Sequence, residues 1–207
     1  MKTLSVRLPL ITRGNVGRAL MLGYGAFCAL YLGSFQLSRH RVVFLQPSPF
    51  DLQIPEWPAS VGIYLTQFVL LPFALMTEAD DGLRSWTFYA MIASTLVSCL
   101  LFLIWPTTVG QPVSTGDSWV SGVWSWLYRF DVPGNCFPSL HVALASVACW
   151  QLARRGWFWR TIAPLWWLAI SVSTLTTRQH RLIDVAGGIA VAVLALWIAR
   201  PLERERC

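Results

Sequence analysis

Two histidines and one aspartate have the types and spacing for acid–base or nucleophilic chemistry. His180 and Asp184 lie four residues apart in the segment "TTRQHRLIDVAGG", so a helix would place both on one face. A carboxylate beside an imidazole fixes the ring's tautomer and stabilises the charged ring that forms during reaction. His141 lies in the segment "CFPSLHV", two residues after Ser139, a suitable N-cap for a helix. Its imidazole would supply a general acid or base.

These groups together indicate phosphoryl transfer. Ser139 and the free backbone N–H groups of the helix that begins there would bind an anion such as phosphate. The pattern therefore favours covalent transfer through a phosphohistidine. The same residue types leave three alternatives open: a zinc or iron site, a proton relay in a transporter, and an ion pair without a catalytic function.

Small residues continue the helix face below each histidine. Ala145 and Ala148 share a face with His141, and the face of His180 and Asp184 continues to the pair Gly187 and Gly188. Small residues let membrane helices approach closely. We therefore expect the two helices to pack so that the two imidazoles meet.

The composition predicts that these helices lie in a membrane. The chain has 207 residues, of which 55% are hydrophobic and 13% charged, whereas a soluble domain carries about 25% charged residues. Several apolar runs reach the ~20 residues that span a bilayer. The predicted fold class is all-α: a polytopic membrane protein with a bundle of six transmembrane helices, in one domain over residues 1–207. The helices are predicted at about 19–37, 59–77, 86–105, 139–153, 161–177 and 182–199.

The basic residues predict the orientation, and they do not indicate binding to nucleic acid. The net charge is +6, and the six predicted helices divide the 16 Lys and Arg residues into 11 on one side and 5 on the other. The positive-inside rule then places both termini in the cytoplasm. Residues 1–18 form a basic segment that we expect to lie along the inner membrane surface. We expect an integral protein of the bacterial plasma membrane, with both histidines on its outer face.

Two motifs resemble those of the type 2 phosphatidic acid phosphatase (PAP2) superfamily. "FPSLH" is similar to the second motif of that family, and "STLTTRQHRLID" is similar to the third, which ends in a histidine and an aspartate four residues apart. The resemblance covers about residues 100–190. Ser173 and Thr174 match the Ser-Thr start of the third motif in the inositolphosphorylceramide synthase-like branch, where the phosphatases have Ser-Arg.

The resemblance implies a role for each residue. It makes His180 the nucleophile, Asp184 its orienting partner and His141 the acid that protonates the leaving oxygen, with Ser139 contacting the phosphate. It also implies a phosphorylated lipid as substrate, with water or an alcohol such as inositol as acceptor. No metal or organic cofactor is expected, because the histidine carries the phosphoryl group.

The basic residues that hold phosphate in the phosphatases are replaced in this chain. Ile104, Gln111 and Thr174 stand at the positions of a lysine and two arginines. Gln111 would still donate hydrogen bonds to phosphate, but a glutamine does not neutralise a dianion. Arg178 and Arg181 flank His180 and are the expected substitutes, with Arg178 preferred because a loop could turn it inward. The missing cations favour one alternative, a non-catalytic lipid-binding or transport protein with the same fold.

Overall fold

The computed structural model describes residues 8–110, 119–127 and 132–200. The described chain is mostly helical. The first half contains α1 (Val16–Ser38), α2 (Pro49–Gln53), α3 (Val61–Leu65), α4 (Gln67–Met76) and α5 (Asp81–Ile104). The second half contains α6 (Trp119–Leu127), α7 (Leu140–Ala153), α8 (Trp157–Thr176) and α9 (Leu182–Ala199). Two short strands, β1 (Val43–Phe44) and β2 (Thr107–Thr108), pair in parallel.

Four helical stretches of the described chain are long and apolar enough to cross a membrane, which confirms a membrane-embedded helical protein. They are Val16–Arg41, Pro58–Met76, Asp81–Ile104 and Leu182–Ala199. The helices at the other two predicted spans differ from these four. At 1.5 Å per residue, α7 is about 21 Å long, shorter than the ~30 Å hydrocarbon core. The sequence of α8 includes an arginine, a proline and a run of Ser and Thr residues. Six crossings therefore stay a prediction.

The α7 helix is the centre of the bundle. Its side chains are buried on nearly every side, from Leu140 at the first turn to Leu152 at the last, as expected for a helix surrounded by other helices. It packs on α4, α5, α8 and α9. By contrast, α1 packs mainly on α5 and keeps most of its surface exposed.

Polar contacts fix both ends of α7. At its C-terminal end, the Glu78 carboxylate accepts hydrogen bonds from Gln151 and, at 3.1 Å, from Arg155 Nε. At its N-terminal end, the Ser139 N–H donates to the Asp184 carbonyl oxygen at 2.9 Å, and the Ser139 hydroxyl accepts from the Val142 N–H. The depth of α7 relative to α4 and α9 is thereby fixed, and with it the position of His141.

Candidate active site

The two histidines predicted to meet lie side by side. His180 Nε2 is 3.5 Å from His141 Nδ1, and the ring centroids are 5.7 Å apart. On the far side of His180, Nδ1 lies 3.5 Å from Asp184 Oδ2. The carboxylate is fully buried and His180 nearly so. The three residues thus form a row in which His180 has the carboxylate behind it and His141 in front.

The contact between His180 and Asp184 is at ion-pair distance and is longer than a normal hydrogen bond. Asp184 Oδ2 already accepts the Arg181 N–H at 2.7 Å. Within the described residues, His180 Nδ1 and Asp184 Oδ1 have no hydrogen-bond partner. Each member of the pair therefore keeps one polar atom unused by the described residues.

Close contact between α7 and α9 makes this row possible. A Cβ atom built on Gly188 would lie 2.4 Å from the Ser139 carbonyl oxygen and 3.1 Å from Val142 Cβ. A Cβ atom on Gly187 would lie 2.7 Å from the Phe137 ring. Only hydrogen fits at these positions, which confirms the expected packing through the glycine pair.

Gly188→Ala should therefore destabilise the protein, because the added methyl group meets backbone that moves only with the whole helix. We expect a loss of about 1–3 kcal/mol in the free energy of unfolding, as for other overpacked cores. The matched control is Gly25→Ala on α1, where nothing lies within 4 Å of the added Cβ atom. Thermal unfolding in detergent measures both. Equal melting temperatures for wild type and Gly188→Ala would contradict the tight packing.

Tyr64 is a member of the site that the sequence pattern does not reveal. Its hydroxyl lies 2.5 Å from His141 Nε2, and the ring centroids are 4.5 Å apart. Tyr64 is 1% exposed and packs beside Val61, Trp124 and Leu127. It precedes His141 by 77 residues, and a tyrosine in an apolar helix is usually an ordinary packing residue, so no local signal marks it.

A loop on the same side of the bundle also reaches the start of α9. The Leu182 N–H donates to Asp51 Oδ1 at 2.8 Å. The Ser48 hydroxyl caps α2 by accepting the Asp51 N–H, and the Ser48 N–H donates to Asp51 Oδ2 at 2.8 Å. Burial favours the neutral acid, but the hydrogen bonds from Ser48 and Leu182 outweigh it and hold the pKa of Asp51 below its ordinary value. The charged carboxylate therefore fixes the residues that follow His180. The sequence "SPFD" indicates that Ser48 caps a helix. It does not indicate that Asp51 also bonds to the start of α9.

A comparison with family models decides the family. The model described as the PAP2 superfamily matches residues 59–198, more than half of the chain. The chain belongs to the PAP2 superfamily. The match begins before Tyr64 and ends within α9, so it includes His141, His180 and Asp184. A comparison with curated proteins found no match.

The structure describes two of the three positions at which PAP2 basic residues are expected, and these two do not form a phosphate clamp. Ile104, at the lysine position, is 74% exposed at the end of α5. Thr174 is fully buried, and its carbonyl oxygen accepts the His180 N–H at 3.1 Å. Gln111 lies outside the described residues, although β2 leads towards it as far as Gly110. No cluster of three or more His, Cys, Asp and Glu residues suited to a metal ion occurs in the described part of the chain.

Arg178, the preferred substitute, has other contacts. Its guanidinium donates to the carbonyl oxygens of Asp51 and Ile54 at 2.9 and 2.8 Å, and its Nε lies 3.2 Å from Glu56 Oε1. Its backbone φ of 58° lies in the left-handed region, which costs energy for a residue with a Cβ atom. Arg178 therefore ties the turn between α8 and α9 to the loop of α2. This does not fit the preference for Arg178 as the phosphate ligand.

Arg181 has fewer contacts within the protein than Arg178 and is the better candidate for binding phosphate. It is 9% exposed, and Nη2 makes one long contact, 3.4 Å, to the Val109 carbonyl oxygen. Its Nε has no hydrogen-bond partner among the described residues. The charge of Arg181 helps to lower the pKa of the Asp51 carboxyl, so Asp51 balances part of this charge. The unused Nε donor stays available to a further anion. Arg181 adjoins His180 in sequence and contacts Val109, two residues before Gln111, so it links the third motif to the segment that contains Gln111.

Proposed function

We propose that this PAP2 protein is a membrane-embedded enzyme that transfers a phosphoryl group from a phosphorylated lipid through a phosphohistidine at His180. The observation that carries the proposal is the row of three side chains, with His180 Nε2 facing His141 Nδ1 at 3.5 Å and Asp184 behind His180. An imidazole oriented by a buried carboxylate is a suitable nucleophile. Family membership supports phosphatase-type chemistry on lipids.

In the first half of the reaction, His180 Nε2 attacks phosphorus and the bond from phosphorus to the lipid oxygen breaks. Asp184 accepts a hydrogen bond from His180 Nδ1 and stabilises the positive charge that develops on the ring. His141 donates a proton to the leaving oxygen. In the second half, an acceptor hydroxyl attacks phosphorus, its proton passes to His141, and His180 is released.

Phosphate binding is assigned to Arg181, Ser139 and Gln111. Arg181 supplies the positive charge, because the transition state spreads negative charge over three equatorial oxygens. Ser139 lies at the start of α7, whose first N–H groups favour an anion. Gln111 would add a neutral donor. Arg178 holds the turn that carries His180 and Arg181.

The acceptor distinguishes two activities of the same site. Water would make the protein a lipid phosphate phosphatase, and an alcohol such as inositol would make it a phosphotransferase. Ser173 and Thr174 favour the inositolphosphorylceramide synthase-like branch and hence an alcohol. The orientation proposed from the 11-to-5 distribution of basic residues places the site on the outer face of a bacterial plasma membrane. A reporter fused after Cys207 should then behave as cytoplasmic.

A non-catalytic lipid-binding or transport protein is the second candidate. It is favoured by one observation, the replacement of the PAP2 basic residues at Ile104 and Thr174 without a cation at either position. A site that binds the lipid but lacks enough charge for the transition state would keep the fold and lose turnover.

Incubation of the purified protein with a panel of lipid phosphates, with and without inositol and other alcohols, tests the proposal. We expect release of phosphate or formation of a new phosphodiester from at least one substrate. Saturable lipid binding without any turnover would contradict the proposed enzymatic function and favour the second candidate.

A further inference from the structure

The contact between Tyr64 and His141 bears on where the proton of His141 lies. The Tyr64 hydroxyl lies in an apolar cluster with Val61, Trp124 and Leu127, and a buried hydroxyl needs a hydrogen-bond partner. His141 Nε2 lies 2.5 Å away, close enough for the phenol to donate to it. When a phenol donates to Nε2, a neutral imidazole carries its own proton on Nδ1. This is the nitrogen that faces His180.

The surroundings of His141 favour a neutral imidazole. Within the described residues, its two ring nitrogens face a phenol and a second imidazole, and no carboxylate contacts either nitrogen. A buried imidazolium without an anion beside it is costly. A neutral imidazole is itself a weak acid, so it gives up the Nδ1 proton readily only if Nε2 gains one at the same time.

We propose that Tyr64 is a positioning residue that holds His141 in the Nδ1–H tautomer and replaces the proton that His141 donates. The inference rests on the proposed function. As the bond from phosphorus to the lipid oxygen breaks, that oxygen takes the Nδ1 proton and Nε2 takes the phenol proton. Tyr64 becomes a phenolate, and the phosphoryl group is on His180.

The second half of the reaction restores each group. The acceptor hydroxyl attacks phosphorus and gives its proton to the lone pair on His141 Nδ1. Nε2 returns its proton to the Tyr64 phenolate, and the bond between phosphorus and His180 breaks. Protons and charge balance over one turnover without a further base.

Tyr64→Phe keeps the ring that packs on His141 and removes only the hydroxyl. General acid catalysis contributes about 10²–10⁴-fold, and the variant should lose part of it. We expect phosphohistidine formation from a lipid phosphate to slow by about 10- to 100-fold. With 4-nitrophenyl phosphate, whose leaving group needs no proton, the rate should stay within about twofold of wild type. Tyr89→Phe is the matched control, since it removes a hydroxyl bonded to the Pro9 carbonyl oxygen outside the site.

Nitrogen-15 NMR of histidine-labelled protein tests the tautomer without any turnover. The chain has three histidines, so the His141→Gln spectrum assigns the signals of His141. We expect protonated Nδ1 in wild type and in Tyr89→Phe, and a shift towards protonated Nε2 in Tyr64→Phe. Protonated Nε2 in wild type would overturn the inference, as would equal slowing of both substrates by Tyr64→Phe. If wild type shows protonated Nδ1 but forms no phosphohistidine, the proposed function fails while the tautomer assignment stands.

Discussion

His180→Ala should abolish turnover and phosphoenzyme formation together, because it removes the atom that attacks phosphorus. Loss of a catalytic nucleophile costs about 10⁴-fold or more in kcat. The side chain is nearly buried, so circular dichroism and thermal unfolding should accompany the assay to show that the variant is folded. His40→Ala is the matched control, since His40 is exposed in the turn Arg39–Arg41, outside the site.

Asp184→Asn belongs with this prediction, because it distinguishes the role of Asp184 as orienting group from the role of His180 as nucleophile. The variant keeps the side-chain shape but loses the charge beside His180, and the corresponding change in another triad lowers kcat by about 10⁴-fold. We expect a slow but measurable phosphoenzyme in Asp184→Asn and none in His180→Ala. Near-normal turnover in folded His180→Ala, on any substrate that wild type converts, would show that the mechanism is wrong.

Arg181→Met should lower kcat/KM by about 10²–10³-fold, equivalent to about 2.7–4 kcal/mol, the range for losing one strong anion contact in the transition state. Methionine preserves much of the buried volume and removes the charge. The reason is the unpaired Nε of the buried Arg181 guanidinium, in the residue that directly follows His180. Steady-state kinetics on the best substrate of the panel measures the change.

Arg178→Met is the matched comparison, because it removes the second arginine that flanks His180. Its guanidinium bonds to the loop around Asp51 and Ile54, so we expect a lower melting temperature and a smaller loss of kcat/KM than in Arg181→Met. A larger loss of kcat/KM in Arg178→Met than in Arg181→Met, with the melting temperature of wild type, would contradict this assignment. It would indicate that Arg178 binds the phosphate.

The parts of the site that the sequence predicted depend on residues that lie close together in the chain. The helix predicted at 182–199 is α9, and it carries Asp184 and the glycine pair. His180 lies two residues before α9, so the prediction that one helix face carries both His180 and Asp184 was wrong, although the two side chains lie 3.5 Å apart. The glycine pair also predicted the close contact with α7, which the structure shows at Ser139, Val142 and Ala143. A short-range pattern is sufficient for Asp184 and the glycine pair because all three lie within α9.

The parts that it missed depend on contacts between distant segments. The predicted helix 59–77 is divided at Thr66 into α3 and α4, and the first of these carries Tyr64 to His141. Arg178 was expected to turn towards phosphate, whereas the carbonyl oxygens of a loop more than 120 residues away bind it. A single sequence does not show which distant group accepts a hydrogen bond from a given donor. These partners could therefore be identified only from the folded structure.

Trapping the phosphoenzyme tests the central claim most directly. Wild-type protein is mixed with a lipid phosphate labelled with phosphorus-32, quenched in denaturant after milliseconds, and digested for mass spectrometry. We expect label that is stable in alkali, is lost in acid, and maps to His180, with its decay accelerated by the acceptor alcohol or water. Label on another residue, or turnover in which no labelled protein forms at any time, would contradict a reaction through His180.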